Sequence, residues 1–137
     1  MNDIDSDLQV AYLGPEGTYS QSALQKYFGK AQASFPLASI EDVFSSVETG
    51  KCEYGIVPVE NSTEGSVTAT LDCFKKSSVI ICGEISLRIQ HLLLGNTQST
   101  AENVKKIVSH QQSLGQCRLW LDKNFPGVER VPVSSNA

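Results

Sequence analysis

The sequence lacks the features that mark nucleic-acid-binding, membrane-spanning and secreted proteins. No cluster of Lys and Arg exceeds a pair, and the formal net charge of the 137 residues is -4, which argues against a nucleic-acid partner. No apolar run approaches the length of a membrane span. Residues 1–7 are acidic and polar, the opposite of a signal peptide, and we expect them to be a disordered or tag-like N-terminus of a cytoplasmic protein.

Cysteine is present, but not in a pattern that indicates a metal site or a disulfide framework. The four cysteines include no Cys-x-x-Cys pair, and a metal site requires ligands at closer spacing. A disulfide framework is typical of smaller, loop-rich secreted chains. We therefore predict free and mostly buried thiols. Cys117 shares a helical face with Leu114 and Leu121, which favours a place in the core.

Strands and helices alternate over the first part of the chain. Apolar runs predict strands at 8–13, 33–37 and 54–57, each followed by a helical pattern. Thr18 or Ser20 begins the first helix, Ser39 begins the second, and the third follows Gly65. This alternation predicts an α/β fold with a parallel sheet, and we assign residues 8–80 to a first lobe.

The pattern changes after residue 78. Residues 79–95 alternate apolar and polar side chains over more than a typical strand length, which predicts a long strand pair leading into a second, α/β lobe over 81–137. A short helix at 101–106, a strand at 107–109, a helix at 112–123 and a strand at 128–133 follow. The final residues read as a helix N-cap with no helix behind it, so we interpret the chain as a fragment, truncated in its second lobe.

Polar loops follow several of the predicted strands, and Asn61, Ser62 and Thr63 are expected at a carboxyl strand edge and a helix N-terminus. The side chains of these loops, together with backbone N–H groups at helix starts, suit a ligand that carries carboxylates. The candidate binding residues are Thr18, Ser20, Asn61, Ser62, Thr63, Gln112, Ser134 and Ser135. A single loop of this kind is better explained by turn and cap formation. The repetition of similar loops across two lobes indicates a cleft for a small anion.

The same loops resemble the motifs of one enzyme family, prephenate dehydratase, in the family's own order. The resemblance lies in Gly14-Pro15-Glu16-Gly17-Thr18-Tyr19-Ser20, Pro58-Val59-Glu60-Asn61-Ser62-Thr63-Glu64-Gly65-Ser66-Val67, Gly83-Glu84-Ile85 through His91, Ser109-His110-Gln111-Gln112, and Ser134-Ser135-Asn136-Ala137. Two departures are visible. Gln111 stands where the family usually has proline, and the family's Thr-Arg-Phe tripeptide, with its catalytic threonine, does not occur in the 137 residues. The ACT regulatory domain does not occur there either.

The resemblance implies a two-lobed fold like that of the type II periplasmic binding proteins. It also implies a carbon–oxygen lyase of phenylalanine biosynthesis, a branch of the shikimate pathway, that converts prephenate to phenylpyruvate without a cofactor or metal. By matching position, Asn61, Ser62 and Thr63 line the cleft from one lobe, and Gln112 with Ser134 or Ser135 lines it from the other. Without the threonine motif, we expect this chain to be inactive alone. The alternative is a non-catalytic binding module for small anions or amino acids.

Two residues, Glu60 and His110, are candidates for acid–base catalysis. Glu60 lies in the motif, but its carboxylate would repel a dianion, so a helix-capping or lobe-bracing role is favoured. His110 is a candidate general acid or a loop-bracing residue, whereas His91 alternates with apolar side chains and is expected in the core. An exposed, incomplete sheet favours a homo-oligomer, for which we expect a dimer. A preceding chorismate mutase domain and a preference for arogenate stay undecided.

Overall fold

The computed structural model describes residues 8–29, 33–62 and 65–134, and these form two compact units with a boundary after Arg88. The first unit contains β1 (Gln9–Leu13), α1 (Tyr19–Phe28), β2 (Ala33–Leu37), α2 (Ile40–Glu48), β3 (Tyr54–Ile56), β4 (Glu60–Asn61), β5 (Gly65–Ser66) and α3 (Thr68–Lys76). The second contains β6 (Lys106–His110), α4 (Gln111–Gln116), α5 (Arg118–Asn124) and β7 (Glu129–Val133). The predicted α/β class is confirmed. Residues 1–7 lie outside the described residues.

The sheet of the first unit has the strand order β2-β1-β3, and all three strands are parallel. The chain leaves β1 in one direction to form β2, and then crosses back past β1 to form β3. Two such crossovers of the same hand place their helices on opposite faces of the sheet. The order of the strands therefore reverses between β1 and β3.

Both faces of β1 are buried, one against each helix. Val10, Tyr12 and Leu24 of α1 form one core cluster, while Ala11, Val43 of α2 and Cys52 form the other. Successive strand residues point to opposite faces, so the pattern confirms that α1 and α2 cover different sides of the sheet. Both helices begin where the sequence predicts: the side chains of Thr18 and Ser39 accept hydrogen bonds from the amides of Gln21 and Asp42.

The third helix packs on α2 rather than on the sheet centre. The rings of Phe44 and Phe74 lie 5.0 Å apart in an edge-to-face arrangement. At the far end of α2, Oε1 of Glu48 accepts hydrogen bonds from the hydroxyl of Ser77 at 2.6 Å and the amide of Ser78 at 3.1 Å. These two bonds, the Ser77 hydroxyl first, lower the pKa of Glu48.

The second unit is a parallel strand pair with two short helices. Its core is formed by Ile107, Leu121 and Phe125, with Leu114 and Cys117 packed against it, as the helical spacing predicts. The single helix expected at 112–123 is wrong, because the helical pattern breaks at Cys117 into α4 and α5. Gly115, whose residue type has low helix propensity, lies just before this break.

Two further predictions are wrong. No strand or helix is formed by residues 79–95 among the described residues, although Ile85 and Leu87 are half-buried and Ser86 between them is exposed. The alternation therefore persists without a paired strand. Residues 101–103 form a turn and not a helix, in which the amide of Asn103 donates to the carbonyl oxygen of Thr100.

All four cysteines are free, but the prediction that most are buried is too strong. Cys52 is buried, Cys73 and Cys117 are half-buried, and Cys82 is exposed. Within the part of the chain that the structure describes, no helix has the length and apolar character to cross a membrane, and no group of His, Cys, Asp and Glu is arranged to hold a metal ion.

Close packing of α2 on β3 predicts that Gly55→Ala is destabilising. A Cβ atom at position 55 would lie 2.8 Å from Cγ1 of Val43 and 3.1 Å from Cγ2 of Val47. We expect a loss of about 1–3 kcal/mol in the free energy of unfolding of the first unit, measured by amide hydrogen exchange of β1. Gly115→Ala is the control, since nothing lies within 4 Å of its Cβ position and the helix gains roughly 0.5–1 kcal/mol. Equal effects of the two changes would contradict the packing argument.

The two hydrogen bonds to Glu48 predict that the stability of the first unit depends on pH. Two serine variants distinguish the contribution of one bond from that of the other. The lowered pKa of Glu48 means that its contribution to stability is present above the pKa of the unfolded chain, and is lost as the pH falls through the folded value. Ser77→Ala removes the hydroxyl donor and should raise the pKa of Glu48 towards its ordinary value in an NMR titration. Ser78→Ala keeps the donating amide and should change it little. A larger rise in Ser78→Ala would refute this assignment.

Candidate functional site

The carboxyl ends of β1 and β3 meet at the point where the strand order reverses. In open α/β sheets, ligands bind in the crevice outside the carboxyl ends of the strands at such a point. The loop 14–18 follows β1 and the segment 57–66 follows β3, so both lie at this edge. The amide of Gly14 donates to the carbonyl oxygen of Leu37 at 2.8 Å, which fixes the start of the first loop to the end of β2.

The segment after β3 forms a small antiparallel hairpin. Glu60 pairs with Ser66 and Asn61 with Gly65, whose φ of 77° is in the left-handed region that glycine adopts readily. This arrangement corrects one prediction. The N-cap of α3 is Val67, so Asn61 and Ser62 lie on a separate hairpin ahead of the helix and not at its N-terminus.

The hairpin presents its polar side chains on different faces. Glu60 is exposed, whereas its neighbour Asn61 is half-buried and makes further interactions within the chain. Adjacent strand residues point in opposite directions, so the Glu60 carboxylate and the Asn61 amide do not share a face. The expected helix-capping role of Glu60 is wrong, because Glu60 belongs to β4 and α3 starts after Val67. Ser62 is exposed, and Thr63 lies outside the described residues.

The first loop is held tightly by its own residues. Thr18 is the N-cap of α1, and its hydroxyl lies 3.4 Å from both the amide of Gln21 and the carbonyl oxygen of Leu13. Oε1 of Gln21 reaches back to the amide of Gly17 at 2.7 Å. Thr18 therefore has an observed structural role in addition to the binding role predicted for it, and Ser20 lies half-buried in the first turn of α1.

A buried hydroxyl lies on the α1 face of β1 close to this edge. Tyr12 is fully buried, and among the described residues its hydroxyl has no hydrogen-bond partner. Burial raises the pKa of Tyr12, and the nearby carboxylate of Glu16 raises it further. The hydroxyl therefore remains protonated at the edge where the first loop begins.

The second unit brings its predicted residues to one edge as well. His110 pairs with Val133 at the ends of the parallel strands β6 and β7, so Gln112 and Ser134, which follow them, lie at the same carboxyl edge. Ser135 lies outside the described residues. The amide of Gln112 donates to Nδ1 of His110 at 3.3 Å, which leaves the proton of a neutral imidazole on Nε2. His110 is thus the N-cap of α4, the loop-bracing role considered for it.

The other histidine, expected in the core, is hydrogen-bonded but belongs to none of the described core clusters. Nε2 of His91 lies 2.8 Å from Oε1 of Gln116 in α4, and the imidazole is half-buried. Sequence reasoning missed one residue of the first unit, Thr70, a fully buried threonine of α3 that donates to the carbonyl oxygen of Pro58 at 2.6 Å. Its place in the first turn of an amphipathic helix is the only signal that the sequence offers.

Comparisons with known proteins agree with the motifs. The family model for prephenate dehydratase matches residues 10–137. Over 135 residues the chain is 56% identical to the bifunctional chorismate mutase/prephenate dehydratase of Pseudomonas aeruginosa, and over 134 residues it is 46% identical to that of Neisseria gonorrhoeae. Each alignment covers 98% of this chain and 37% of the relative.

A solved structure of a prephenate dehydratase has a similar fold. The prephenate dehydratase of Staphylococcus aureus superposes with a TM-score of 0.81 at 29% sequence identity, covering 93% of this chain and 48% of that one. The chain therefore spans 37% of the length of the curated relatives named above and about half of this structure. With a family match that extends from within β1 to residue 137, this chain belongs to the prephenate dehydratase family.

Proposed function

We propose that the chain contributes substrate-binding residues to a prephenate dehydratase of phenylalanine biosynthesis. The observation that carries the proposal is the polar hairpin at the β1/β3 switch point, with half-buried Asn61 and exposed Ser62, in a chain of this family. The reaction converts prephenate and one proton into phenylpyruvate, carbon dioxide and water. No cofactor is required, because formation of the aromatic ring supplies the driving force.

The reaction requires orientation of the substrate more than covalent catalysis. Prephenate is a dianion, and its ring carboxylate and ring hydroxyl must leave together. A protein that holds both carboxylates and supplies a proton or hydrogen bond to the departing hydroxyl meets this need. Uncharged donors such as the Asn61 amide and the Ser62 hydroxyl suit carboxylates, whereas the carboxylate of Glu60 would repel them.

The second unit supplies a candidate hydrogen-bond donor. With Nδ1 of His110 accepting from the amide of Gln112, a neutral His110 carries its proton on Nε2. We assign His110 the role of hydrogen-bond donor towards the leaving hydroxyl, and Gln112 and Ser134 the role of carboxylate binding. The geometry of their shared edge supports this assignment.

Several expectations stay predictions. They are the binding roles of Thr18, Ser20, Thr63 and Ser135, the assignment of 8–80 and 81–137 to two lobes, the homodimer, the cytoplasmic location, and the choice between prephenate and arogenate. The division of the described residues into two α/β units supports a two-lobed arrangement.

The proposal predicts that a new carboxylate on the hairpin weakens prephenate binding. Asn61→Asp is nearly isosteric but places a negative charge beside a dianion, so we expect the dissociation constant to rise at least tenfold in calorimetric titrations. Gln98→Glu makes the same amide-to-carboxylate change on an exposed turn of the second unit and should leave binding unchanged. Tight binding of L-phenylalanine without binding of prephenate would instead support an amino-acid-binding module.

A second prediction concerns turnover by the 137-residue chain. Because the Thr-Arg-Phe motif does not occur in these residues, we expect prephenate to bind without conversion to phenylpyruvate above the uncatalysed rate. Absorbance of phenylpyruvate in alkali measures the product directly. Rapid turnover would show that the threonine motif is dispensable and that the donor assigned to His110 is sufficient.

A further inference from the structure

We propose that Thr70 is a positioning residue that sets the place of the Asn61–Ser62 hairpin at the switch point. The inference rests on the proposed function of that hairpin. Thr70 has no exposed surface, and its hydroxyl donates to the carbonyl oxygen of Pro58 at 2.6 Å. Pro58 lies two residues before β4, so this bond holds the root of the hairpin.

Thr70 lies in the first turn of α3, and its hydroxyl bonds outside the helix. A threonine deeper in a helix commonly donates to the carbonyl oxygen three or four residues before it. Thr70 instead reaches an oxygen 12 residues earlier in the chain, outside its own helix. The hydroxyl therefore connects α3 to the segment that enters the hairpin, and it has no part in the hydrogen bonding of α3 itself.

A continuous series of restraints runs from the core to the hairpin. Val57 packs against the α2-side core, Pro58 is held by Thr70, and the carbonyl oxygen of Val59 accepts from the amide of Val67 at 2.8 Å. The two pairs of the β4–β5 ladder follow. The bond of Thr70 comes from a side chain, so a substitution can remove it without changing the backbone.

The threonine side chain suits this position on two counts. Its hydroxyl is fully buried and needs a partner, which the carbonyl oxygen of half-buried Pro58 provides, and an unpaired buried donor would be costly. Its methyl group fills the space beside the hydroxyl. Valine keeps the shape and removes the donor, whereas serine keeps the donor and removes only the methyl group.

The test compares Thr70→Val, Thr70→Ser and Thr68→Val by NMR, each with a prephenate titration. In Thr70→Val we expect amide exchange of Val67 to accelerate at least tenfold while the amides of β1 keep their protection, and prephenate to bind roughly tenfold more weakly. Thr70→Ser should retain most of the exchange protection of the Val67 amide and most of the affinity for prephenate. Thr68→Val, an exposed position on the same helix, should behave as wild type.

The outcomes separate this inference from the proposed function. Unchanged Val67 exchange and unchanged binding in Thr70→Val would overturn the positioning role, as would equal losses in Thr68→Val. Loss of protection throughout β1 would show that Thr70 stabilises the whole unit and does not position the hairpin. If the wild-type chain does not bind prephenate, the proposed function fails, and the exchange data still decide whether Thr70 fixes the hairpin.

Discussion

Burial of both faces of β1 is the constraint on which the first unit depends. Val10, Ala11 and Tyr12 are each fully buried, so the strand requires a helix on each side of the sheet. The chain meets this requirement by placing β2 on one side of β1 and β3 on the other. The same crossing produces the switch point, so the candidate site follows from the way in which one apolar strand is covered.

The local elements of the first unit are readable from the sequence because their signals are local. Ser39 predicts the start of α2, since a short polar side chain can cap the helix that immediately follows it. The predicted bounds of β2, 33–37, agree with the observed strand. Packing of Cys117 against the core cluster that contains Leu121 is also predicted, because helical spacing persists across the break between α4 and α5.

The remaining features depend on contacts between distant residues. The periodicity of apolar residues identifies strands but does not show which strands are neighbours. It therefore does not predict the order β2-β1-β3. The hairpin depends on the left-handed conformation of Gly65 and on pairing of Glu60 with Ser66, which a list of polar residues does not reveal. Residues 79–95 show the converse: alternation predicts the two faces of a strand, yet a strand also requires a partner at the correct distance.

The smallness of the hairpin has a consequence for how the family can diversify. Its ladder contains only two residue pairs, and its turn residue Ser62 packs against neither core cluster of the first unit. Exchanges at the tip should therefore have little effect on the folding of the sheet below. Under the binding role proposed for the hairpin, ligand preference and folding would depend on different residues in this part of the chain.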